Sequence, residues 1–599
     1  MDERATSTAS QPVLPLLRRF WPFSDGVRPW LWLGLSMIPV LAATTAVRPL
    51  LLERAVDTHL ASHDLEGLHR VAWIFFGVLG LEFLATAWQT YGLQRAGHVT
   101  IARFRAHIFG HVLRLPLRFY DKNPIGALLS RTTSDVEALS ETLSFGVFTI
   151  ITDAVKMVVI FVSMLVLDAR LTLISFALAP VMYLIVRFFS SVLRRLQLEI
   201  RKATSIRSGY LAEQLAGITV VQLFDREAAA HREYEALGAR YLSATKRANV
   251  FDALLYSLME GAGSFAIAML LWFSIPRELQ GELTSAPVGA GLLWAFIEYL
   301  RQILIPAREF SGKIATIQRA AASLERVFGL IDEPAEPPRG SHDEASLRDW
   351  DGAVQVRDLR FAYEAGGRDV LRGLDFSIAP GEVIAVVGRT GSGKSSLGRV
   401  LTSSYDGYRG SVKLGHGADA VELRDVPPTR LRDEVLMVPQ DVFLFDEDVA
   451  FNASLGAPNV DAEGIRAALR TVEVLDAIDA RGGASLPVGE RGANLSVGER
   501  QLVAFARVVL RSPKLLILDE ATASVDSETE QKVQAAIERL FEGRTVLVVA
   551  HRLSTVRHAD RILVMHEGEV VESGPHDELV ARGGIYADLV RRGFDADEA

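Results

Sequence analysis

The alternation of apolar and polar residues divides the chain into two parts of different character. Up to roughly residue 330, several apolar runs approach the ~20 residues that a helix needs to cross a bilayer. The second part instead combines short β-branched runs with helical patterns, which is typical of a soluble α/β domain. Six membrane spans are predicted in the first part, at 30–52, 71–93, 142–167, 171–188, 250–275 and 287–304.

The segments between these spans differ in length and charge. Those after spans two and four are long and rich in arginine, whereas the loop after span one is acidic and those after spans three and five are short. By the positive-inside rule, the long segments and both termini are expected on the cytoplasmic side. Apolar residues at helical spacing, such as Leu193, Leu196 and Ile200, predict that the membrane helices continue there as long rods. Residues 13–26 are amphipathic and basic, which favours a helix lying at the membrane interface.

Ionisable side chains also occur inside the predicted spans, where charge is costly and should face protein or a water-filled cavity. They are Glu82, Asp153, Lys156, Asp252, Glu260, Glu298 and Arg301. Two pairs have i,i+3 spacing, which predicts that their members neutralise each other on one helix face. These pairs are Asp153 with Lys156 and Glu298 with Arg301. The other three acids have no such neighbour, and some of them are expected to line a polar cavity.

Composition narrows the classes of function. The 599 residues carry a formal net charge of −9, so the chain lacks the overall basic character that is typical of nucleic-acid-binding proteins. The chain has no cysteine, which excludes disulfides and thiolate metal sites. The N-terminal residues lack the charged-then-apolar pattern of a removable signal peptide, so the first span is expected to remain as a membrane anchor.

The most informative stretch is VIAVVGRTGSGKSS, at 383–396. Its β-branched run predicts a buried strand, and the run ends at a loop of the form G-x-x-x-x-G-K-S. Glycines let such a loop direct backbone N–H groups at phosphate oxygens, next to the positive end of the following helix. Lys394 is expected to reach the β- and γ-phosphates, and Ser395 to ligate Mg²⁺. The predicted phosphate-binding residues are Gly388, Arg389, Thr390, Gly391, Ser392, Gly393, Lys394, Ser395 and Ser396.

Further motifs follow this loop in a fixed order. They are LSVGERQ at 495–501, LLILDE at 515–520 and a strand-like run, TVLVVAH, that ends at His551. This order resembles an ATP-binding cassette (ABC) transporter, and the six spans in front make the chain similar to an exporter-type half-transporter. The resemblance covers nearly the whole chain. It implies an α-helical six-span transmembrane domain with long cytoplasmic helical extensions, followed by an α/β P-loop nucleotide-binding domain.

A Pro-, Asp- and Glu-rich segment separates these two domains and has the composition of a linker. The predicted organisation is an N-terminal interfacial helix at 1–28, the transmembrane domain at 29–331, the linker at 332–352, the nucleotide-binding domain at 353–592 and a tail at 593–599.

The resemblance implies a role for each matching residue. Tyr363 stands where the family places an aromatic ring that stacks on adenine. Gln440 resembles the glutamine that touches Mg²⁺ and senses the membrane domain. Asp519 matches the aspartate that holds Mg²⁺ through water, and Glu520 matches the general base that polarises the attacking water. His551 matches the histidine that contacts the γ-phosphate.

Two nucleotide domains pack head to tail in this family, so the segment LSVGE is expected to act in trans. Ser496, Gly498 and Glu499 would then face the ATP held by the partner's phosphate-binding loop. The usual family pattern is LSGGQ, and this chain departs from it at Val497, which restricts the backbone, and at Glu499, which adds negative charge near a triphosphate. Because the serine and the second glycine of the pattern are present, we expect function to be retained.

Two cytoplasmic segments resemble the intracellular loops of exporters, whose short coupling helices dock onto the nucleotide domains. The candidates for these helices are residues 123–127 and 217–223. The sequence does not decide between a homodimer and a heterodimer. In a heterodimer with one weakened ATP site, this chain is expected to supply the working loop and base, because Gln440, Glu520 and His551 match the competent pattern.

The resemblance implies an ATP hydrolase of the bacterial cell membrane that exports an amphipathic small molecule, drug, lipid or peptide, or moves it between leaflets, by alternating access. Its cofactors would be ATP and Mg²⁺, and its partners a second half-transporter subunit, the bilayer and the substrate, with no nucleic acid. Some of Glu82, Asp252 and Glu260 would line the translocation cavity and favour cationic or zwitterionic cargo. Two alternatives are an exporter-fold importer of a chelate and a regulatory or channel-like ABC membrane protein.

Overall fold

The computed structural model describes residues 13–142, 147–274, 289–335, 347, 350–364, 366–417, 420–519, 527–550 and 553–592. The chain separates into two compact units. The first unit contains Met1–Leu113 and Ile125–Glu333, and the second contains Arg114–Pro124 and Pro334–Ala599. Thus a short segment from the first half of the sequence belongs to the unit that contains the nucleotide motifs.

The first half of the chain is helical throughout its described part. Its α-helices are α1 (Val13–Phe20), α2 (Arg28–Arg54), α3 (Leu65–Val112), α4 (Leu117–Lys122), α5 (Ile125–Thr132), α6 (Ser134–Glu141), α7 (Val147–Leu167), α8 (Ala169–Phe176), α9 (Ala179–Ala216), α10 (Ile218–Leu223), α11 (Glu227–Ser274) and α12 (Ala290–Ile331). All of these except α4 belong to the first unit.

Several of these helices are far longer than a bilayer is thick. Helices α3 and α11 have 48 residues each, and α9 has 38. A 48-residue helix is about 72 Å long, which exceeds the ~30 Å hydrocarbon core by more than twofold. The prediction that membrane helices continue as long rods is therefore confirmed.

Five helices in the described part of the chain are long and apolar enough to cross a membrane. They run over Arg28–Leu60, Leu65–Val112, Phe148–Leu167, Ala169–Ala216 and Glu227–Phe273, and each overlaps one of the first five predicted spans. The sixth predicted span begins outside the described residues and continues into α12, which is not among these five.

The N-terminal segment forms a helix, as predicted, and its apolar side packs against other helices of the first unit. Phe20 is buried and makes an edge-on contact with Phe104 of α3, with ring centroids 5.0 Å apart. Arg19 donates to the carboxylate of Asp332, just beyond α12, with a nitrogen–oxygen distance of 2.9 Å. The segment is therefore fixed to both α3 and the end of α12.

The charged groups inside the spans have partners that differ from those predicted. Asp153 accepts from Lys313 of α12 at 2.6 Å, so its predicted pairing with Lys156 is wrong. Glu82, for which no local partner was expected, contacts Arg48 of α2 at 3.2 Å. Both partners lie on neighbouring helices, which the spacing along one helix cannot reveal.

Glu298 accepts a hydrogen bond at 2.9 Å from Gln302, one turn further along α12, rather than pairing as its i,i+3 spacing with Arg301 predicted. Asp252 and Glu260 are exposed on α11. Neither forms a hydrogen bond or ion pair within the described residues. These two acids therefore remain candidates for a polar cavity.

Glu82→Gln should lower the stability of the first unit by about 1–2 kcal/mol, because it leaves the Arg48 guanidinium without its partner in a partly buried position. The measurement is the thermal unfolding midpoint of the full chain in lipid nanodiscs. Combining the change with Arg48→Met should restore most of the loss. Glu199→Gln, in an exposed pair with Arg247, is the matched control and should have little effect. Equal midpoints for Glu82→Gln and wild type would contradict the prediction.

The second unit combines two sheets with surrounding helices. Its strands are β1 (Val354–Phe361), β2 (Leu371–Ile378), β3 (Val383–Val387), β4 (Arg409–Leu414), β5 (Val421–Glu422), β6 (Val435–Val438), β7 (Leu515–Asp519), β8 (Thr545–Val549), β9 (Arg561–His566) and β10 (Glu569–Gly574). Its remaining α-helices are α13 (Lys394–Leu401), α14 (Pro428–Glu434), α15 (Val449–Ser454), α16 (Ala462–Thr471), α17 (Leu475–Asp479), α18 (Val497–Arg511), α19 (Ser527–Phe541), α20 (Leu553–Arg557), α21 (His576–Arg582) and α22 (Ile585–Arg592).

The larger sheet has the strand order β10-β9-β3-β8-β7-β6. Strands β9, β3, β8, β7 and β6 are parallel, and β10 runs antiparallel to β9. The central strands β3, β7 and β8 are buried along their whole length, as expected for a parallel sheet covered on both faces. The smaller sheet, β2-β1-β4-β5, is antiparallel.

Helix α4 is held on the second unit by polar contacts. Lys122 pairs with Glu364 at 2.9 Å, Arg118 donates to the backbone oxygen of Asp406 at 3.1 Å, and the Tyr405 phenol donates to the Asp121 carboxylate. Pro116 is its N-cap and Pro124 follows it, which explains why the helix is confined to six residues.

The predicted segment 123–127 does not form a helix of its own, because Asn123 is the C-cap of α4 and α5 begins at Ile125. The second candidate, 217–223, coincides with α10, a separate short helix between α9 and α11. The short helix was therefore predicted correctly. That α10 docks onto a nucleotide domain stays a prediction.

Candidate nucleotide-binding site

The order of strands in the larger sheet brings the sequence motifs to one edge. Strands β6, β7, β8 and β3 are consecutive and parallel, so their carboxyl ends lie side by side. Gln440 comes two residues after β6, Asp519 is the last residue of β7, and the glycine-rich loop follows β3. In open parallel sheets this edge is where ligands bind.

The phosphate-binding loop depends on glycine at particular positions. Gly391 and Gly393 have φ of +81° and +102°, in the region that side chains rarely adopt. At Gly388, a Cβ atom would lie 2.2 Å from the backbone oxygen of Met565 in β9. The loop therefore passes so close to the neighbouring strand that only glycine fits there. Arg389 and Thr390 are exposed at the tip of the loop.

Lys394 is folded back over this loop at the start of α13. Its ammonium nitrogen donates to the backbone oxygens of Gly388 at 2.7 Å and Arg389 at 3.2 Å. The side chain is only 5% exposed. A buried positive charge held by two carbonyl groups is available to a phosphate that enters the loop.

Ser395 joins the loop to the neighbouring strand. Its hydroxyl donates to the Asp519 carboxylate at 3.1 Å. Asp519 is 9% exposed, so this hydroxyl and carboxylate form a compact group of oxygen atoms at the sheet edge. The two residues, both predicted Mg²⁺ ligands, are 124 positions apart in the chain and are brought together by the fold.

Two further serines complete the loop region. Ser392 and Ser396 are both buried. The hydroxyl of Ser396 lies 2.8 Å from that of Tyr363, just after β1, so the predicted adenine platform is tied to α13. The Tyr363 ring makes edge-on contacts with Phe361 and Tyr405, with centroids 5.0 and 5.2 Å apart. The sequence did not single out Tyr405, because no local pattern shows what packs beside Tyr363.

The segment LSVGE forms the start of α18, and Ser496 is its N-cap. The Ser496 hydroxyl accepts from the backbone N–H of Glu499 at 3.2 Å, and the Glu499 carboxylate accepts from the N–H of Ser496 at 2.9 Å. This reciprocal pattern is a capping box, which stabilises a helix start. Val497 is 39% exposed and Gly498 is buried.

Glu499 also has a partner that sequence analysis missed. Arg481, eighteen residues earlier, donates to its carboxylate at 2.5 Å. Burial tends to raise the pKa of Glu499, but the Arg481 guanidinium and the Ser496 N–H outweigh it and hold the pKa below its usual range. The extra negative charge expected from this residue is thus paired within the same unit.

Not every predicted residue can be placed. Gln440 is described, and its side chain is exposed after β6. Glu520 and His551 lie outside the described residues. Asp519 is the last residue of β7 and Ala550 directly follows the adjacent strand β8, at the same sheet edge as the glycine-rich loop.

Comparison with protein families matches two consecutive regions of the chain. Residues 31–303 match the family described as ABC transporter transmembrane region, and residues 371–523 match the family described as ABC transporter. An uncharacterized ABC transporter ATP-binding protein of Bacillus subtilis, YknV, is 32% identical over 96% of this chain and 94% of its own length. The chain belongs to the ABC transporter family.

Other relatives and a solved structure also match most of the chain. An ATP-dependent lipid A-core flippase of Burkholderia orbicola is 32% identical, over 98% of this chain and 96% of that protein. A probable multidrug resistance ABC transporter protein of Bacillus subtilis, YheH, is 33% identical, over 87% of this chain and 76% of that protein. A bacterial Atm1-family ABC exporter with ATP bound has the same fold, with a TM-score of 0.74 and 24% identity. The match covers 95% of this chain and 98% of that exporter.

These findings confirm the architecture and the broad activity predicted from the sequence. The transporter consists of one membrane region followed by one ATP-binding cassette, which is the organisation of an exporter-type half-transporter. It is an ATP-binding, multi-pass membrane protein whose ATP hydrolysis is coupled to transmembrane transport.

Proposed function

We propose that two half-transporters assemble and use ATP binding and hydrolysis to move an amphipathic molecule out of the cell or between the leaflets of a bacterial inner membrane, with the nucleotide unit in the cytoplasm. The observation that carries the proposal is the grouping of Lys394, Ser395 and Asp519 at one sheet edge, in a chain that also has membrane spans. The bacterial flippase and multidrug relatives support the substrate class.

Within each ATP site, the glycine-rich loop and Lys394 bind the triphosphate, and Tyr363 stacks on adenine. The oxygen atoms of Ser395 and Asp519 lie 3.1 Å apart and suit Mg²⁺, which prefers hard oxygen ligands and keeps several waters. Gln440 completes that site and senses the membrane domain. The ion, when bound, offsets charge on the phosphate oxygens.

Hydrolysis is assigned to the two residues that follow the central strands. Glu520 accepts a proton from the attacking water and orients it toward the γ-phosphate. His551 contacts the γ-phosphate and so links the state of the nucleotide to the domain interface. Glu520 directly follows β7, and His551 comes two residues after β8, at the sheet edge that carries the phosphate-binding loop, which supports both assignments.

The second subunit completes each site. Ser496, Gly498 and Glu499 at the start of α18 face the ATP on the partner's loop, where a helix N-terminus and a serine hydroxyl favour a phosphate group. ATP then holds the two nucleotide domains together, and hydrolysis releases them. A homodimer has two equal sites. In a heterodimer this chain supplies the working loop and base.

The decisive experiment is ATP turnover by the full chain, purified alone and reconstituted in liposomes. Turnover that requires Mg²⁺ and is lost in Glu520→Gln would support working sites formed by two copies. Absence of turnover in folded protein would contradict the homodimer. Full turnover of a complex after Glu520→Gln in this chain would contradict the assignment of the working base.

Transport is tested in the same liposomes with a fluorescent phospholipid whose outer-leaflet fraction is quenched chemically. ATP-dependent movement of the probe supports leaflet-to-leaflet translocation. Accumulation of a chelate in right-side-out cells would instead favour the importer, and ion currents without coupled transport would favour the channel-like alternative. Transport unchanged in Asp252→Asn and Glu260→Gln would remove the hypothesis that these acids line the cavity.

A further inference from the structure

The negative charge at position 499 raises a problem for the proposed trans site. The site requires α18 to approach a triphosphate, and an ionised carboxylate within a few ångströms of that anion is repelled by it. The low pKa of Glu499 means that this carboxylate stays ionised near neutral pH. Protonation therefore cannot remove the charge, and compensation has to come from a neighbouring cation.

Arg481 is positioned to supply that compensation. Its guanidinium contacts one carboxylate oxygen of Glu499 at 2.5 Å, while the other oxygen accepts from the Ser496 N–H. Both oxygens are thereby directed away from free solvent, and the carboxylate side chain is 18% exposed. The pair has no net charge, so its repulsion of a nearby anion is much weaker than that of Glu499 alone.

Arg481 is itself fixed by two further hydrogen bonds. It donates to the backbone oxygen of Ala477 in α17 at 3.1 Å and to that of Asn494 at 3.3 Å. Asn494 lies two residues before the N-cap of α18, so the same guanidinium fastens both the loop that enters the helix and the acid in its first turn. A planar group with several donors is suited to this arrangement.

The capping box leaves the serine hydroxyl available. The Ser496 oxygen accepts a hydrogen bond from the Glu499 N–H, and this interaction does not use the hydroxyl proton of Ser496. A serine hydroxyl has one donor as well as acceptor capacity. Holding Glu499 in the box therefore orients the serine oxygen while its O–H remains able to donate to a phosphate.

We propose that Arg481 is a positioning residue for ATP use, which neutralises Glu499 and fixes the start of α18 so that the variant segment LSVGE presents Ser496 to the partner's nucleotide. This inference rests on the proposed trans site. It explains how a segment with glutamate in place of glutamine remains compatible with binding a triphosphate. An exposed ion pair that only supported local folding would not affect the apparent affinity for ATP.

The test is a double-mutant cycle on the full-length transporter in liposomes, with ATP turnover measured as a function of ATP concentration. Arg481→Ala should raise KM for ATP about tenfold with a smaller change in kcat, because the uncovered Glu499 charge opposes closure on the triphosphate. In the Glu499→Gln background, the same change should raise KM less than about threefold. High salt should reduce the Arg481→Ala defect by screening it.

Arg466→Ala is the matched control. Arg466 forms an exposed pair with Asp479 at 2.7 Å, between α16 and α17. Within the described residues it makes no hydrogen bond to α18, so its removal should leave KM unchanged. A KM for Arg481→Ala equal to that of wild type would overturn the proposal. An equally large effect of Arg481→Ala in the Glu499→Gln background would also overturn it, since the role of Arg481 would then be independent of that charge.

Failure of the proposed function would be visible separately, as wild-type protein without turnover. In that case hydrogen exchange at 494–500 still tests the positioning role. Faster exchange in Arg481→Ala, with unchanged exchange in Arg466→Ala, would support it. Unchanged exchange in both variants would overturn it.

Discussion

Lys394→Met is expected to lower ATP turnover of the purified transporter by at least about 100-fold, because it removes a preorganised positive charge from the phosphate site. The ammonium group is buried and lies 2.7 Å from the backbone oxygen of Gly388, so its position is set before a nucleotide arrives. Methionine keeps an unbranched apolar stem of similar length and therefore preserves most of the packing. The loss should reflect missing charge rather than a collapsed loop.

The measurement is Mg²⁺-dependent phosphate release by the full chain in lipid, together with binding of a fluorescent ATP analogue. Lys413→Met is the matched control, since Lys413 is an exposed lysine on β4 of the same unit, and it should retain wild-type turnover. Thermal unfolding midpoints should be similar for both variants. Turnover of Lys394→Met within tenfold of wild type would contradict the role given to this ammonium group.

The parts of the site that depend on local sequence were predictable. The glycine-rich loop was recognised because its spacing is short and its strand and helix are adjacent in the chain. The strand ending at Asp519 was visible as a run of buried aliphatic residues. That Ser395 and Asp519 serve one Mg²⁺ site was expected only from resemblance to a family, because no pattern within either segment indicates that β3 and β7 share a sheet edge.

Contacts between distant side chains were not predictable from spacing. Asp153 had a cation at i+3 and yet pairs with Lys313, 160 residues away, because α7 packs against α12. Glu499 could be identified as an unusual residue of α18, but its partner Arg481 follows a different helix, α17, so spacing along α18 does not indicate it. In each case helical periodicity describes one element, whereas the choice of partner depends on how two elements pack.

The same distinction applies to the short helix α4. Prolines on either side limit α4 to Leu117–Lys122, and this local signal was available in the sequence. The contacts that place it on the second unit come from Glu364, Asp406 and Tyr405, which are more than 240 residues later in the chain. The existence of the helix was therefore easier to predict than the surface that receives it.

Gly388→Ala is expected to destabilise the nucleotide unit by about 3 kcal/mol or more, because the new Cβ atom would meet backbone rather than a movable side chain. The clash is with the oxygen of Met565, 2.2 Å from the ideal Cβ position. Met565 lies in β9, which is hydrogen-bonded to β3 along its length, so relief would require the two central strands to separate. The phosphate-binding loop would lose its attachment point at the same time.

Gly381→Ala separates this clash from the general effect of a left-handed glycine. Gly381 has φ of +73° and no atom within 4 Å of the ideal Cβ, so its replacement should cost about 1 kcal/mol. The comparison uses hydrogen exchange of residues 383–387 in the full chain. Exchange of this strand should accelerate strongly in Gly388→Ala and only slightly in Gly381→Ala. Similar protection in both variants would mean that β9 can move away from β3 at little cost. The close approach of the two strands would then not be the reason why position 388 requires glycine.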